Sequence, residues 1–155
     1  MSSFYHFAYG ANMNYSELKK YIKKNIKVVG VGYLDNYTFK YRTIKNRKIT
    51  AKASIEKKKN HRVYGIIFKI YGSIEKLHEK EKSYYVAFKK IKLLYPIKPT
   101  KKKIFNCFVY LMKENVIGKQ GKPSRKYENN ITTAAAIYNF PLSYINKHLT
   151  YYFEK

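Results

Sequence analysis

Cysteine is almost missing from this 155-residue chain, with Cys107 standing alone. One thiol closes no internal bridge, so a disulfide framework is excluded and a reducing compartment is expected. Long apolar runs are missing too: no stretch approaches the ~18 residues of a bilayer-spanning helix. The start, Met1-Ser2-Ser3-Phe4-Tyr5-His6, lacks the basic patch and apolar segment of a signal peptide. The expectation is a cytoplasmic protein with no membrane association. Carboxylates are scarce, 9 Asp plus Glu against 33 Lys plus Arg, for a formal net charge of +24. Arginine is scarce as well, being confined to Arg42, Arg47, Arg62 and Arg125.

The missing motifs narrow the chemistry. His6, His61, His78 and His148 form no pair at i, i+4, and His78-Glu79-Lys80-Glu81 lacks the second histidine of a zinc-protease helix. No Gly-rich phosphate loop and no G-x-S-x-G elbow occurs, and Cys107 sits inside the apolar run Phe105 to Leu111, where it reads as core. No metal and no cofactor is expected.

What is present can fold. Hydrophobic residues make up 45% and aromatics 17%, too much for a disordered basic tail. The length fits one domain, residues 1–155, burying roughly 70% of its unfolded surface without a staple. The lysine excess has two readings. It is the footprint of a protein that binds nucleic acid or another acidic partner, or it is bias on a solvated surface of the kind an A/T-rich coding sequence produces. Lysine is a hydrated point charge and lacks the bidentate fork of arginine. No aromatic alternates with the runs Lys57-Lys58-Lys59 and Lys101-Lys102-Lys103, which are expected on loop tips. Nucleic acid is therefore the second candidate partner, behind a small molecule.

Strand signals dominate. Phe4–Tyr9, Ile26–Tyr33, Tyr37–Tyr41, Lys48–Ile55, Arg62–Tyr71, Tyr84–Leu94 and Lys102–Met112 are rich in β-branched or aromatic residues. Asp35-Asn36 reads as the turn of a hairpin joining the second and third of these. Four helical segments are expected. One is a helix behind Asn14 carrying Leu18, Tyr21 and Ile22, and another is a short one capped by Ser73 with Ile74 and Leu77. The last two are Asn130–Tyr138 and Pro141–Tyr152. Six or seven strands are enough for a closed or nearly closed sheet.

Two segments hold candidate chemistry. The turn Tyr9-Gly10-Ala11-Asn12 lies between an apolar strand and a helix, where small residues let consecutive N–H groups face an anion or a carbonyl oxygen. Glu75, Glu79 and Glu81 cluster among lysines. Such a cluster is either a solvated helix end or the source of one carboxyl drawn into a pocket, where burial raises its pKa.

These segments, in order, resemble the gamma-glutamylcyclotransferase family. His6-Phe7-Ala8-Tyr9-Gly10-Ala11-Asn12-Met13 is similar to its opening Y-F-A-Y-G-S-N-[LM], and Val31 to Phe39 to its G-x-L-x-[DN]-[YF]-x-L-x-F segment. Val63-Tyr64-Gly65-Ile66-Ile67-Phe68 is similar to V-[WY]-G-[VI]-[VIL]-[YF], Leu77 to Glu81 to L-D-x-x-E-G, and Pro123 to Tyr127 to P-S-x-x-Y. The resemblance implies the α+β class, a small mixed β-barrel or closed sheet of six to seven strands with flanking helices. It implies cyclisation of the γ-glutamyl group of γ-glutamyl amino acids to 5-oxoproline with release of the amino acid. It makes Glu81 the catalytic acid/base. It makes His6, Phe7, Ala8, Tyr9, Gly10, Ala11, Asn12 and Tyr127 the substrate contacts, in a monomer or homodimer. A γ-glutamylamine with a different leaving group is the alternative substrate, and a non-catalytic basic family member is the other reading. Ala11, His6 and Lys82 depart from the usual Ser, Tyr and Gly, and Lys82 is expected to sit beside Glu81 and lower its pKa.

Overall fold

The apolar segment at the start pairs on both sides, which makes it the centre of the sheet. In a computed structural model describing residues 2–48 and 50–152, it forms β1 (Ser3–Ala8). β2 (Ile26–Ile44), β3 (Lys52–Tyr71), β4 (Tyr84–Pro96), β5 (Ile104–Met112) and β6 (Ile117–Gln120) follow. The order is β3-β1-β5-β4-β2-β6, and β2 pairs with β3 as well, so five strands close into a barrel with β6 attached outside the closure. Only β1 and β5 run parallel, meeting at His6 and Phe108. This is the expected α+β class with a mixed closed sheet and flanking helices.

The seven strand segments resolve differently from expectation. Ile26–Tyr33 and Tyr37–Tyr41 are not a hairpin but one continuous strand, β2. A type I′ turn needs two successive residues at positive φ and a type II′ turn a glycine first; here only Asn36 adopts a positive φ, 65°, and Asp35 precedes it. The chain therefore bulges instead of reversing. Register passes from Asp35 opposite Arg62 to Tyr37 opposite Lys57, and the Asn36 carboxamide oxygen accepts from Asn60 N–H at 3.1 Å. The same irregularity joins Lys48–Ile55 to Arg62–Tyr71 as β3, with Ile49 outside the described residues. The Lys57 to Lys59 run lies exposed within that strand rather than on a loop tip, whereas Lys101 to Lys103 do lie between β4 and β5. β6, which carries Gly118 and only one branched residue, had no strand signal.

Phe7, Val31, Ile66, Phe68, Ile91, Phe108 and Val109 belong to one core packed on both faces of the closed sheet, none more than 2% exposed. Each such side chain stabilises the fold by ~1.5–3 kcal/mol. Cys107 is fully buried in β5, and burial pushes its thiol up to about 12, so it is inert core. Gly65 is demanded by close packing, since a Cβ there would lie 2.6 Å from the Phe7 ring and from the Ala8 carbonyl oxygen.

Helices sit around the barrel. α1 (Tyr15–Lys19) starts where Asn14 Oδ1 accepts from Ser16 N–H at 3.0 Å. α2 (Glu75–Lys80) starts beside Ser73, whose hydroxyl accepts from Glu75 N–H. α3 (Arg125–Ile137) begins five residues before the expected Asn130, because Ser124 Oγ caps it through Tyr127 N–H at 3.1 Å. α4 (Leu142–Tyr144) continues as a wider turn, Ile145–Leu149, and stops short of Tyr152. There the N–H groups of Tyr151 and Tyr152 leave the helix to donate to Glu128 Oε2 at 2.7 and 2.8 Å. Among the described residues no helix is long and apolar enough to cross a membrane.

Candidate active site

β1 ends at Ala8, and the next residues turn sharply into a single 3₁₀ turn, Ala11–Met13. Gly10 is needed there for space, not for an unusual φ, which is −128°. A Cβ on it would stand 2.8 Å from the Ala53 Cβ. The turn is closed by Met13 N–H donating to Gly10 O at 3.0 Å and Asn14 N–H to Ala11 O at 3.1 Å. These bonds begin at Met13, so the N–H groups of Gly10, Ala11 and Asn12 precede the first closed turn.

The turn forms one wall of a cleft of about 340 Å³, lined also by His6, Phe7, Ala8, Tyr9, Ala53, Glu81, Tyr84, Tyr110 and Tyr127. All nine residues singled out in the sequence face this one cleft. Ala53, Tyr84 and Tyr110 were not foreseen.

Tyrosines fix the walls. Tyr84 donates its hydroxyl to Ala53 O at 2.6 Å, and Ala53 N–H donates to Tyr127 Oη at 3.0 Å, so two tyrosines hold the backbone of one residue of β3 from both of its peptide groups. Tyr9 donates to the Tyr110 carbonyl. Tyr127 accepts in its protein contact, which leaves its own O–H available to a ligand. Burial raises the pKa of Tyr9, Tyr84, Tyr110 and Tyr127, so these hydroxyls are neutral donors at pH 7.

His6 turns toward Phe108, stacking on its ring with centroids 4.4 Å apart while Nδ1 donates to the Phe108 carbonyl at 3.1 Å. Burial lowers its pKa to about 4, keeping the ring neutral, and Nε2 has no partner among the described residues. His78 on α2 pairs through Nδ1 with the Tyr110 hydroxyl. No group of three His, Cys, Asp or Glu side chains gathers as a metal site among the described residues.

Glu81 occupies the C-cap of α2. Its N–H donates to His78 O at 3.1 Å, and its carbonyl accepts from Tyr84 N–H at 3.0 Å, so helix and β4 hold its backbone on both sides. The side chain is 15% exposed and is the only carboxylate on the cleft among the described residues. Desolvation raises its pKa above the ordinary 4.5, opposed by the ammonium of Lys80, by Lys52 and by the Asn12 side chain. The cation beside it is Lys80, not Lys82: Lys80 Nζ is 3.4 Å from Glu81 Oε1 and donates to Asn12 Oδ1 at 3.0 Å. Lys82 is exposed, because it follows the cap residue and turns away with the chain.

Residues 62–148, more than half of the chain, match the model of the AIG2-like family. The chain belongs to the AIG2-like family. No curated protein matches it. Among solved structures, a gamma-glutamyl cyclotransferase superposes with a TM-score of 0.77 at 21% identity, covering 99% of this chain and 93% of that one. An uncharacterized human protein gives 0.78 at 23%, covering 100% and 94%. A yeast gamma-glutamyl cyclotransferase specific to glutathione gives 0.62 at 11%, covering 96% and 97%. Identities this low speak for the fold alone. This AIG2-like chain has the gamma-glutamyl cyclotransferase fold, with its cleft where β1, α2 and α3 meet.

Proposed function

We propose that the cleft cyclises the γ-glutamyl group of a γ-glutamyl amino acid, giving 5-oxoproline and the free amino acid. The observation that carries this reading is Glu81, a desolvated carboxyl facing the small-residue turn at the end of β1. The reaction suits so spare a site. The substrate's α-amine attacks its own γ-carbonyl, so the nucleophile is already tethered. Folding the chain into a near-attack geometry inside a shaped cleft is worth up to ~7–11 kcal/mol. The walls that impose it are Phe7, Ala8 and the ring of Tyr127.

Protons and charge remain. The C–N bond to the leaving amino acid breaks as the ring C–N bond forms, and one proton must pass from the attacking amine to the departing nitrogen. Glu81 takes it and returns it. A carboxyl whose pKa is raised holds its proton at higher pH, so it still carries one to deliver to a poor leaving group, and such general acid/base transfer contributes about 10²–10⁴-fold. Lys80 limits the rise, so Glu81 is still ionised often enough to act first as base. Negative charge on the tetrahedral oxygen is met by the backbone N–H groups of Gly10, Ala11 and Asn12. These are backbone donors, so Ala11 in place of a serine leaves them intact.

The test uses γ-glutamyl dipeptides with 5-oxoproline release as readout. Free-amine substrates are converted, and the same dipeptides acetylated on the α-nitrogen are inert. No 5-oxoproline from any γ-glutamyl compound, or equal turnover of the acetylated ones, overturns the reading.

A further inference from the structure

Beyond Glu81 the cleft continues into an outer concavity of about 770 Å³. The two share Ala11, Glu81, Tyr84 and Tyr127 as common walls, so they are one continuous depression with Glu81 at its waist. The outer part is lined by Arg47, Lys52, Lys80 and Lys82, and Glu81 is its only carboxylate. Lys80 is engaged by Glu81 and Asn12. The other three cations have no carboxylate partner among the described residues, because the ion pairs there are Lys20 with Glu17, Arg42 with Glu56, and Arg62 and Lys92 with Asp35. Lys52 is held in place, its Nζ lying 4.4 Å above the Tyr127 ring. In a chain with 9 carboxylates for 33 cations, this mouth sets one carboxylate, Glu81, against four cations among the described residues.

Glu81 has to protonate the departing nitrogen, so the leaving group must lie against Glu81 on the side away from the β1 turn. That side is the cationic mouth. We propose that Arg47, Lys52 and Lys82 form a leaving-group subsite for an acidic amino acid, one with two or more carboxylates, such as glutamate or a short γ-linked glutamate chain. The inference rests on the cyclotransferase reading and names its substrate class. The covalent balance is unchanged: the ring C–N bond forms, the C–N bond to the acidic residue breaks, and its nitrogen receives the proton from Glu81. A leaving group bearing a cation, such as a lysine linked through its ε-nitrogen and carrying a free α-ammonium, places like charges together in the same mouth and is disfavoured.

The pair γ-Glu-Glu and γ-Glu-Gln isolates the effect, because the leaving residues are isosteric and differ by one charge. The expected kcat/KM ratio is roughly tenfold in favour of γ-Glu-Glu at low salt. It falls as salt is raised, and approaches one in the Arg47→Gln/Lys82→Gln double variant, both positions being exposed. Equal kcat/KM values in the parent protein, or a ratio that the double variant leaves unchanged, overturns the subsite. Calorimetric binding of the same two dipeptides reads selectivity without turnover. Selectivity for γ-Glu-Glu with no 5-oxoproline formed upholds the subsite and defeats the cyclotransferase reading, and turnover without selectivity does the reverse.

Discussion

Two of the protein's concavities, the smaller cleft at the end of β1 and a larger depression lined by cations, differ in what surrounds them. The cleft at the end of β1 spans about 340 Å³, partly open to solvent. The depression walled by Lys40, Lys58, His61, Lys147 and His148 spans about 1000 Å³, likewise open to solvent, and has no carboxylate among its described lining residues. In the larger one, burial lowers the pKa of His148, and Lys147, His61 and Lys40 lower it further. Its cations repel one another, and no group there is paired to a complementary one that could exchange a proton with a ligand. In the smaller one, four tyrosines are kept neutral, a histidine is kept neutral, and the single acid is lifted above its ordinary range. Volume and charge do not make a reaction site; a desolvated acid set among fixed neutral donors does.

The sharpest way to break that contrast is to remove one proton carrier from each region. Glu81→Gln is expected to cut kcat/KM by at least ~100-fold with the melting temperature preserved, since the side chain keeps its shape. Lys147→Gln in the larger concavity leaves both within error. Equal activity in Glu81→Gln and the parent protein removes the assigned role.

Histidines sharpen it next. His6 is fully buried with its pKa lowered from 6.5 to about 4, so the unfolded chain binds the extra proton between those values. Stability is therefore complete above pH 6.5 and is lost as pH falls toward 4, by up to about 3 kcal/mol. His6→Phe keeps the stacking on Phe108 and is expected to flatten the pH dependence of urea unfolding across that window. An unchanged slope means that His6 is not the buried neutral group described.

Gly10→Ala pushes a methyl group into the Ala53 Cβ at 2.8 Å. Chemical denaturation should show a loss of about 1–3 kcal/mol, with turnover reduced because the turn that presents the N–H groups has moved. Ala53→Gly in the same chain vacates the space and should recover both; no recovery would place the fault in the backbone of the turn. A subtler effect follows from Lys80. Its ammonium holds the Glu81 pKa down, so Lys80→Met raises that pKa further, and the acidic limb of the pH–rate profile moves to higher pH.

Much of this arrangement was legible in the sequence because it rests on local chemistry. Asn14 is a cap that needs no tertiary partner, apolar and aromatic content marked β1 and β5, and the family motifs brought Gly10, Glu81 and Tyr127 to attention together, whereas the Ser124 cap was missed. The failures came where long-range pairing decides. Asp35-Asn36 has turn chemistry in isolation, yet β3 pairs along both of its flanks, and the extended ladder absorbs the asparagine as a bulge. Ala53, Tyr84 and Tyr110 enter the cleft through the register of three different strands, which closure of the barrel sets. The apolar run of β5 and the place of Tyr84 directly after the Glu81 segment were the local signals. Lys82 was the adjacent cation in sequence, but Lys80, in the last turn of α2, is the one that folds over Asn12 and Glu81.

The central claim is that Glu81 is an acid kept partly out of water. Titration of its carboxyl carbon by NMR, assigned by difference against Glu81→Gln, measures this directly. The account predicts a midpoint above the ordinary glutamate value of 4.5 that climbs further in Lys80→Met. A midpoint at or below 4.5, indifferent to Lys80, would contradict it.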